Sequence, residues 1–344
     1  MDVLKKEKIA LEVIKTLKSK FDDFPEDATN NRNAPFHEAF LEAFKIKIER
    51  YVTDIPIFIS LASWMHGLNT TLGQSFFENV AHILCDGEKR KFQNLFISKY
   101  QQSTISDIIA SLKNKNRTPD LVKENKEIFN SSNDLVVEIP SFSADVYYEE
   151  WDKLVLIELK TVKPNSDIFK EQKYKFLHAK SALKSKFPAK NISFYLGFPF
   201  DPLNAEKCGY NKDRYFNYSV DFKKYFDPAE VLLADELWDF LSQEKGTMEE
   251  IILIINTLAK PDFMEKFNII NEPKNIDIRS SEYRNILLEW FLYRELKVVD
   301  NYNKIKNIAS SKKNIQRTFL HNLFDGGNNY REDRINTLIS VLDN

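Results

Sequence analysis

The chain has 344 residues, 43% of them hydrophobic and 29% charged, a globular composition for one large domain or two smaller ones. Eight glycines against 27 phenylalanines argue for a helix-rich protein and against a glycine-loop nucleotide binder, and a net charge of −2 leaves any pull toward nucleic acid to local patches. No apolar run approaches the ~20 residues of a membrane span; two cysteines and no signal-like start imply a reduced, cytoplasmic protein.

Taken in order, residues 2–21 alternate lysines with apolar positions at helical spacing. A polar loop over 22–34 follows. Pro35 then opens a helix over 35–51, with Phe36, Phe40, Phe44 and Ile48 four apart. The apolar run 54–66 predicts a buried helix, and Asn69-Thr70-Thr71 offer caps for another over 72–85. Helical patterns continue over 88–100 and 103–113, and Thr118-Pro119 reads as a helix start.

The character changes near Asn133. Strands are expected over 135–139, 144–148 and 154–159, then a helix over 166–187 and a strand over 191–200. Helices return over 228–243, 247–258, 280–302 and 314–323. This predicts three regions: a helical one over 1–130, an α/β centre over 131–245, and a helical one over 246–344.

The chemistry concentrates in SADVYYEEWDKLVLIELKT, residues 143–161. Strand side chains at i and i+2 share a face, so Glu158 and Lys160 point together, and a hairpin would bring Asp145 beside them. An acid-x-lysine triplet alone means little, because the chain contains six. The one at Glu158 differs in ending an apolar strand with an acid on the strand before it. Paired carboxylates can hold Mg²⁺, a hard cation that prefers oxygen ligands, and the metal acidifies a bound water and offsets charge on phosphate oxygens. Asp145 and Glu158 are then expected as ligands with the Leu159 carbonyl, and Lys160 as the catalytic ammonium. The alternative is a hairpin whose charges merely cap strand ends.

The segment 160–190 holds nine lysines against two acids. A lysine-rich helix directly after the triplet could face a phosphate backbone, with Lys163, Lys170 and Lys173 as contacts, or could simply be a solvated face. Lys312, Lys313 and Arg317 form a second basic patch, mixed with asparagine and glutamine that can read base edges, or equally a surface linker, and Lys113 to Arg117 (KNKNR) form a third, most simply a solvent loop. Five scattered histidines give no zinc-site spacing.

Ser143-Ala144-Asp145 followed by Glu158-Leu159-Lys160 resembles the PD-(D/E)xK nuclease superfamily, with Ala144 where the namesake proline stands. The resemblance implies an α/β (α+β) fold, a central mixed sheet flanked by extensive helical regions. It also implies Mg²⁺-dependent hydrolysis, with Mn²⁺ as a substitute, leaving 5′-phosphate ends. Glu78, on the helix before the sheet, is where this superfamily often supplies an extra metal ligand; Gln172 and Tyr174 resemble polar residues placed near the metal. The stretches Lys160 to Asn165 and Leu72 to Glu78 further resemble type II restriction endonucleases that cut GGNCC-type sites. A symmetric double-stranded DNA site implies a homodimer. A repair or recombination nuclease on the same core, and a non-catalytic DNA-binding protein, are the competing expectations.

Overall fold

The computed structural model describes the chain except residues 27–34, 49–50, 52–53, 131–134, 162–165, 219 and 344. It divides into two compact units. Met1 and Phe77–Ile251 make one, Asp2–Phe76 and Ile252–Asn344 the other.

The first unit is built on a five-stranded sheet in the order β1-β4-β5-β6-β7: β1 (Glu88–Phe92), β4 (Phe142–Glu150), β5 (Lys153–Leu159), β6 (Asn191–Phe198) and β7 (Val231–Leu233). β1, β4 and β5 pair antiparallel; β5, β6 and β7 pair parallel. The sheet is therefore mixed, with β5 at the junction. A separate two-stranded sheet joins β2 (Phe96–Ser98) to β3 (Val136–Glu138).

β5 reads as a near-continuous apolar run because both its faces are covered: Leu154, Val155, Leu156 and Ile157 are all buried. The helix Ser166–Lys186 crosses from β5 to its parallel neighbour β6 and lays Phe176 flat on Phe194, with centroids 3.9 Å apart. On the other face the helix Asp235–Ser242 brings Leu237 against the sheet at Gly197. A Cβ on Gly197 would lie 2.9 Å from Ile157 Cγ2, 3.0 Å from Leu159 Cδ2 and 3.1 Å from Leu237 Cδ1. The Gly197 carbonyl also accepts the Lys160 backbone N–H at 2.9 Å, so this close approach aligns the end of β5. Gly197→Val is expected to lower the unfolding free energy by about 1–3 kcal/mol through overpacking; an unchanged denaturant midpoint would contradict the assignment.

Several elements differ from expectation, each for a local reason. Residues 88–98 are not helical. Glu88 to Phe92 form a charged edge strand, protected from further pairing by its lysines and arginine and therefore lacking any apolar alternation. Asn94 turns with φ 55°, and the following helix, Lys99–Lys113, starts at a Ser98–Gln101 capping box. Thr70 and Thr71 do not cap a helix; their hydroxyls bond back to His66 and Gly67 carbonyls within Ile55–Thr71, which passes into a π-helical turn, Leu72–Phe76, and then Phe77–Cys85. Asp120, not Thr118, caps the helix Leu121–Ile128. The expected helix over 228–243 is a 3₁₀ turn, then β7, then Asp235–Ser242, because Val231, Leu232 and Leu233 are buried beside β6.

The second unit is helical among its described residues. Val3–Asp22 and Ile55–Thr71 are its long helices, and Pro35–Glu42 with Lys45–Ile48 replaces the single helix expected over 35–51. The expected helix over 280–302 divides into Ser280–Glu289 and Tyr293–Asp300, broken where Phe291 takes φ 61°. Lys313–Phe319 and Glu332–Asp343 follow. Glu7 is tied into this unit by Arg294, whose Nε lies 3.1 Å from its carboxylate. No helix among the described residues is long and apolar enough to cross a membrane.

Candidate active site

The hairpin of β4 and β5 brings the expected residues together. Its register pairs Val146 with Ile157 and Glu150 with Lys153; one step beyond the first pair, Asp145 faces Glu158. The Asp145 carboxylate accepts the backbone N–H of Leu159 at 2.9 Å, so it is fastened to the peptide between Glu158 and Lys160. On the β1 side, the register shifts between Glu88–Tyr147 and Arg90–Ala144. One residue on β1, Lys89, thus opposes two on β4, Asp145 and Val146. Such a bulge bends the strand and re-aims a side chain.

Around these carboxylates the charges are closely matched. Lys160 Nζ lies 2.6 Å from Glu158 Oε1, and Lys175 Nζ, from the helix Ser166–Lys186, lies 2.6 Å from Oε2. Lys89 Nζ is 2.9 Å from Glu78 Oε1 and 3.4 Å from Asp145 Oδ1, so two carboxylates converge on one ammonium. Its hydrogen bond to Glu78 is the main cause holding the Lys89 ammonium above the ordinary lysine value, with Asp145 adding to it. Glu78 comes from the first turn of Phe77–Cys85, just after the π-helical turn. From the same helix the His82 ring bonds the Asp145 carbonyl at 2.7 Å; it anchors backbone rather than meeting the carboxylate. Tyr174 packs its ring on His178, 4.0 Å between centroids.

Oxygen donors of Glu78, Asp145 and Glu158 do not lie together within 4.8 Å: Lys89 bridges the first two, while Lys160 and Lys175 hold the third. Among the described residues, the three potential ligands whose donor atoms lie within 4.8 Å of one another are Cys208, Asp235 and Glu249, away from the motif.

The lysine-rich helix does not turn all its expected cations to solvent. Lys173 does not face outward: it is wholly buried, with Nζ 2.5 Å from both Glu124 and Glu230. Lys180 is buried on the same Glu230 at 3.2 Å. Lys184 is spent on the carbonyls of Pro188 and Lys190, both at 2.8 Å. Lys170 is half-buried, and Lys163 lies outside the described residues. Lys312, Lys313 and Arg317 are exposed on the second unit, at and after the junction of Tyr302–Ser311 with Lys313–Phe319.

Two site residues had no role in the sequence reading. Lys175 was one lysine among nine. Lys89 lay in a stretch read as helix, and its partnership with Asp145 depends on the bulge.

A mixed sheet with helices on both faces, carrying two acids and a lysine at its parallel–antiparallel junction, is an α/β nuclease architecture. The profile of the family described as type II restriction endonuclease, HinfI, matches residues 5–259. The type II restriction enzyme MjaII of Methanocaldococcus jannaschii is 43% identical over 348 residues, covering 95% of this chain and 94% of that protein. The chain belongs to the HinfI family of type II restriction endonucleases. A probable glutathione peroxidase 5 of Arabidopsis thaliana is 25% identical over 162 residues, 43% of this chain and 94% of that one. Burial, with Glu249 and Asp235 nearby, pushes the Cys208 thiol above its ordinary value. No solved structure gives a significant match.

Proposed function

We propose that the protein is a Mg²⁺-dependent type II restriction endonuclease that cuts both strands of duplex DNA at a short specific site and leaves 5′-phosphate ends. The observation that carries this reading is the bond from Asp145 to the peptide between Glu158 and Lys160. It ties both acids and the lysine to one point at a strand junction. The donor set suits the metal: carboxylates are the hard oxygen ligands Mg²⁺ prefers, and Glu78 and Asp145 already share one cation. Asp145, Glu158, the Leu159 carbonyl and Glu78 would hold it. Bound there, it supplies an acidified water and positive charge for the phosphate oxygens. Lys160 adds its own charge beside the scissile phosphate and orients the attacking water, and Lys175 holds the second oxygen of Glu158 in place. Lys170, Lys312, Lys313 and Arg317 are assigned to DNA contact. A GGNCC-type target, met by a homodimer, follows the sequence resemblance.

Digestion of unmodified and methylated DNA of known sequence, with the ends mapped, tests this reading. Discrete fragments with 5′-phosphate ends from the unmodified DNA are expected. Cutting confined to branched substrates would instead indicate a repair nuclease.

Lys89 competes with any other cation for Glu78 and Asp145. Lys89→Met is expected to tighten Mg²⁺ or Mn²⁺ binding by a factor of roughly 1.4 to 5 by calorimetry, the range set by a half-exposed ion pair of roughly 0.2–1 kcal/mol. Lys91→Met, which removes the same charge two residues along β1, is the control. Equal shifts in both variants would reduce Lys89 to general electrostatics.

A further inference from the structure

The lysine helix leaves an imbalance. A protein that holds duplex DNA needs cations free to meet phosphates, yet Lys173, Lys175, Lys180 and Lys184 are committed to glutamates or carbonyls. Among the described residues of the first unit, four cations stand together around a cavity of about 390 Å³ between the end of Lys99–Lys113 and the short helices Lys212–Tyr218 and Val220–Tyr225. Its floor is apolar and firm. Leu112 and Phe216 are buried, and Phe216 stacks on Phe222 with centroids 4.3 Å apart. Its rim carries Lys115, Arg117, Lys223 and Lys224, and none of its lining residues is acidic.

Among the described residues, Lys115 and Lys224 make no ion pair, and Lys223 meets only the neutral side-chain oxygen of Asn217. Arg117 gives two N–H groups to Glu127, at 3.0 and 3.5 Å, out of the five it carries. Lys115 also occupies an unusual place. The helix Lys99–Lys113 ends with Lys115 N–H on Leu112 O at 3.1 Å and Asn116 N–H on Ser111 O at 2.9 Å, a Schellman motif whose left-handed position glycine normally fills. Lysine sits there with φ 58°, so its side chain is kept at a cost in backbone strain.

We propose that this cavity seats a phosphate of the DNA backbone, a contact separate from the Asp145–Glu158–Lys160 site; the proposal rests on duplex DNA being the substrate. The side-chain oxygen of Asn217 accepts from Lys223, and Thr118 is the other polar uncharged side chain on the rim. A contact to phosphate carries no sequence information, so the contribution of this seat is independent of sequence.

The test is duplex binding by fluorescence anisotropy in EDTA, across a KCl series, for wild type, Lys115→Gly and the double variant Lys223→Ala/Lys224→Ala. Each released phosphate contact should flatten the slope of log affinity against log salt by about 0.9, so the double variant should lose about 1.8. The loss should be the same on site-bearing and site-free duplexes. Lys115→Gly relieves the left-handed strain, so its unfolding midpoint should match or exceed that of wild type while its DNA affinity falls. Wild-type slopes in correctly folded variants would overturn the proposal. So would stabilisation by inorganic phosphate that the variants lose while their duplex slopes hold, which would make the cavity a small-anion site. A wild type that binds no duplex would overturn the substrate reading along with it.

Discussion

Lys160→Ala is expected to reduce single-turnover cleavage about 10²–10³-fold, equivalent to roughly 3–4 kcal/mol of transition-state stabilisation, and to leave stability unchanged. The side chain suits such a test because its bond is to Glu158, within the site, and it remains partly exposed. The backbone N–H that aligns the end of β5 on Gly197 is untouched by the substitution. Lys175→Ala provides the comparison, since Lys175 binds the other oxygen of the same carboxylate. If Lys175→Ala proves the more damaging, the two lysines exchange roles.

Glu230→Ala should lower the unfolding free energy by about 3–5 kcal/mol, the penalty for leaving buried charge unpaired. Glu124, Lys173, Lys180 and Glu230 are all buried, and Glu230 is the member that meets both lysines. Burial pushes the Glu230 carboxyl up, but Lys180 and Lys173 together outweigh it and hold it below its ordinary value of 4.5. A carboxyl lowered on folding stabilises the protein above its unfolded pKa, and that contribution is lost as pH falls through the folded value. Burial dominates at Glu124 and raises it, so its contribution has the opposite sign. The gap between wild type and Glu230→Ala should therefore be widest near neutrality and narrow on the acid side of 4.5. A gap constant with pH would show that the carboxylate's charge does not matter.

Legibility in the sequence followed the physics of each segment. The hairpin was readable because β5 is an uninterrupted apolar run between polar turns, with acids at matching distances from its tip. The inward turn of the lysine helix also left a trace. Lys173 and Lys180 are seven apart and each follows a core phenylalanine, Phe169 or Phe176, by four, so helical spacing places both on the buried stripe. Lysine's usual exposure hid that trace. β1 was unreadable because an edge strand needs charges rather than alternation. β7 was misread because three apolar residues fit a helix face as well as a strand. Lys89 could not be found at all, since it meets Asp145 through a bulge between strands more than 50 residues apart.

Cleavage of unmodified duplex DNA by wild type and Asp145→Asn at the same Mg²⁺ concentration tests whether the Asp145 and Glu158 carboxylates form the catalytic metal site. The substitution keeps an oxygen to accept the Leu159 N–H but removes the charge that would hold the metal. Discrete fragments are expected from wild type, none with EDTA, and none from a folded Asp145→Asn. Wild-type rates in that variant would contradict that assignment.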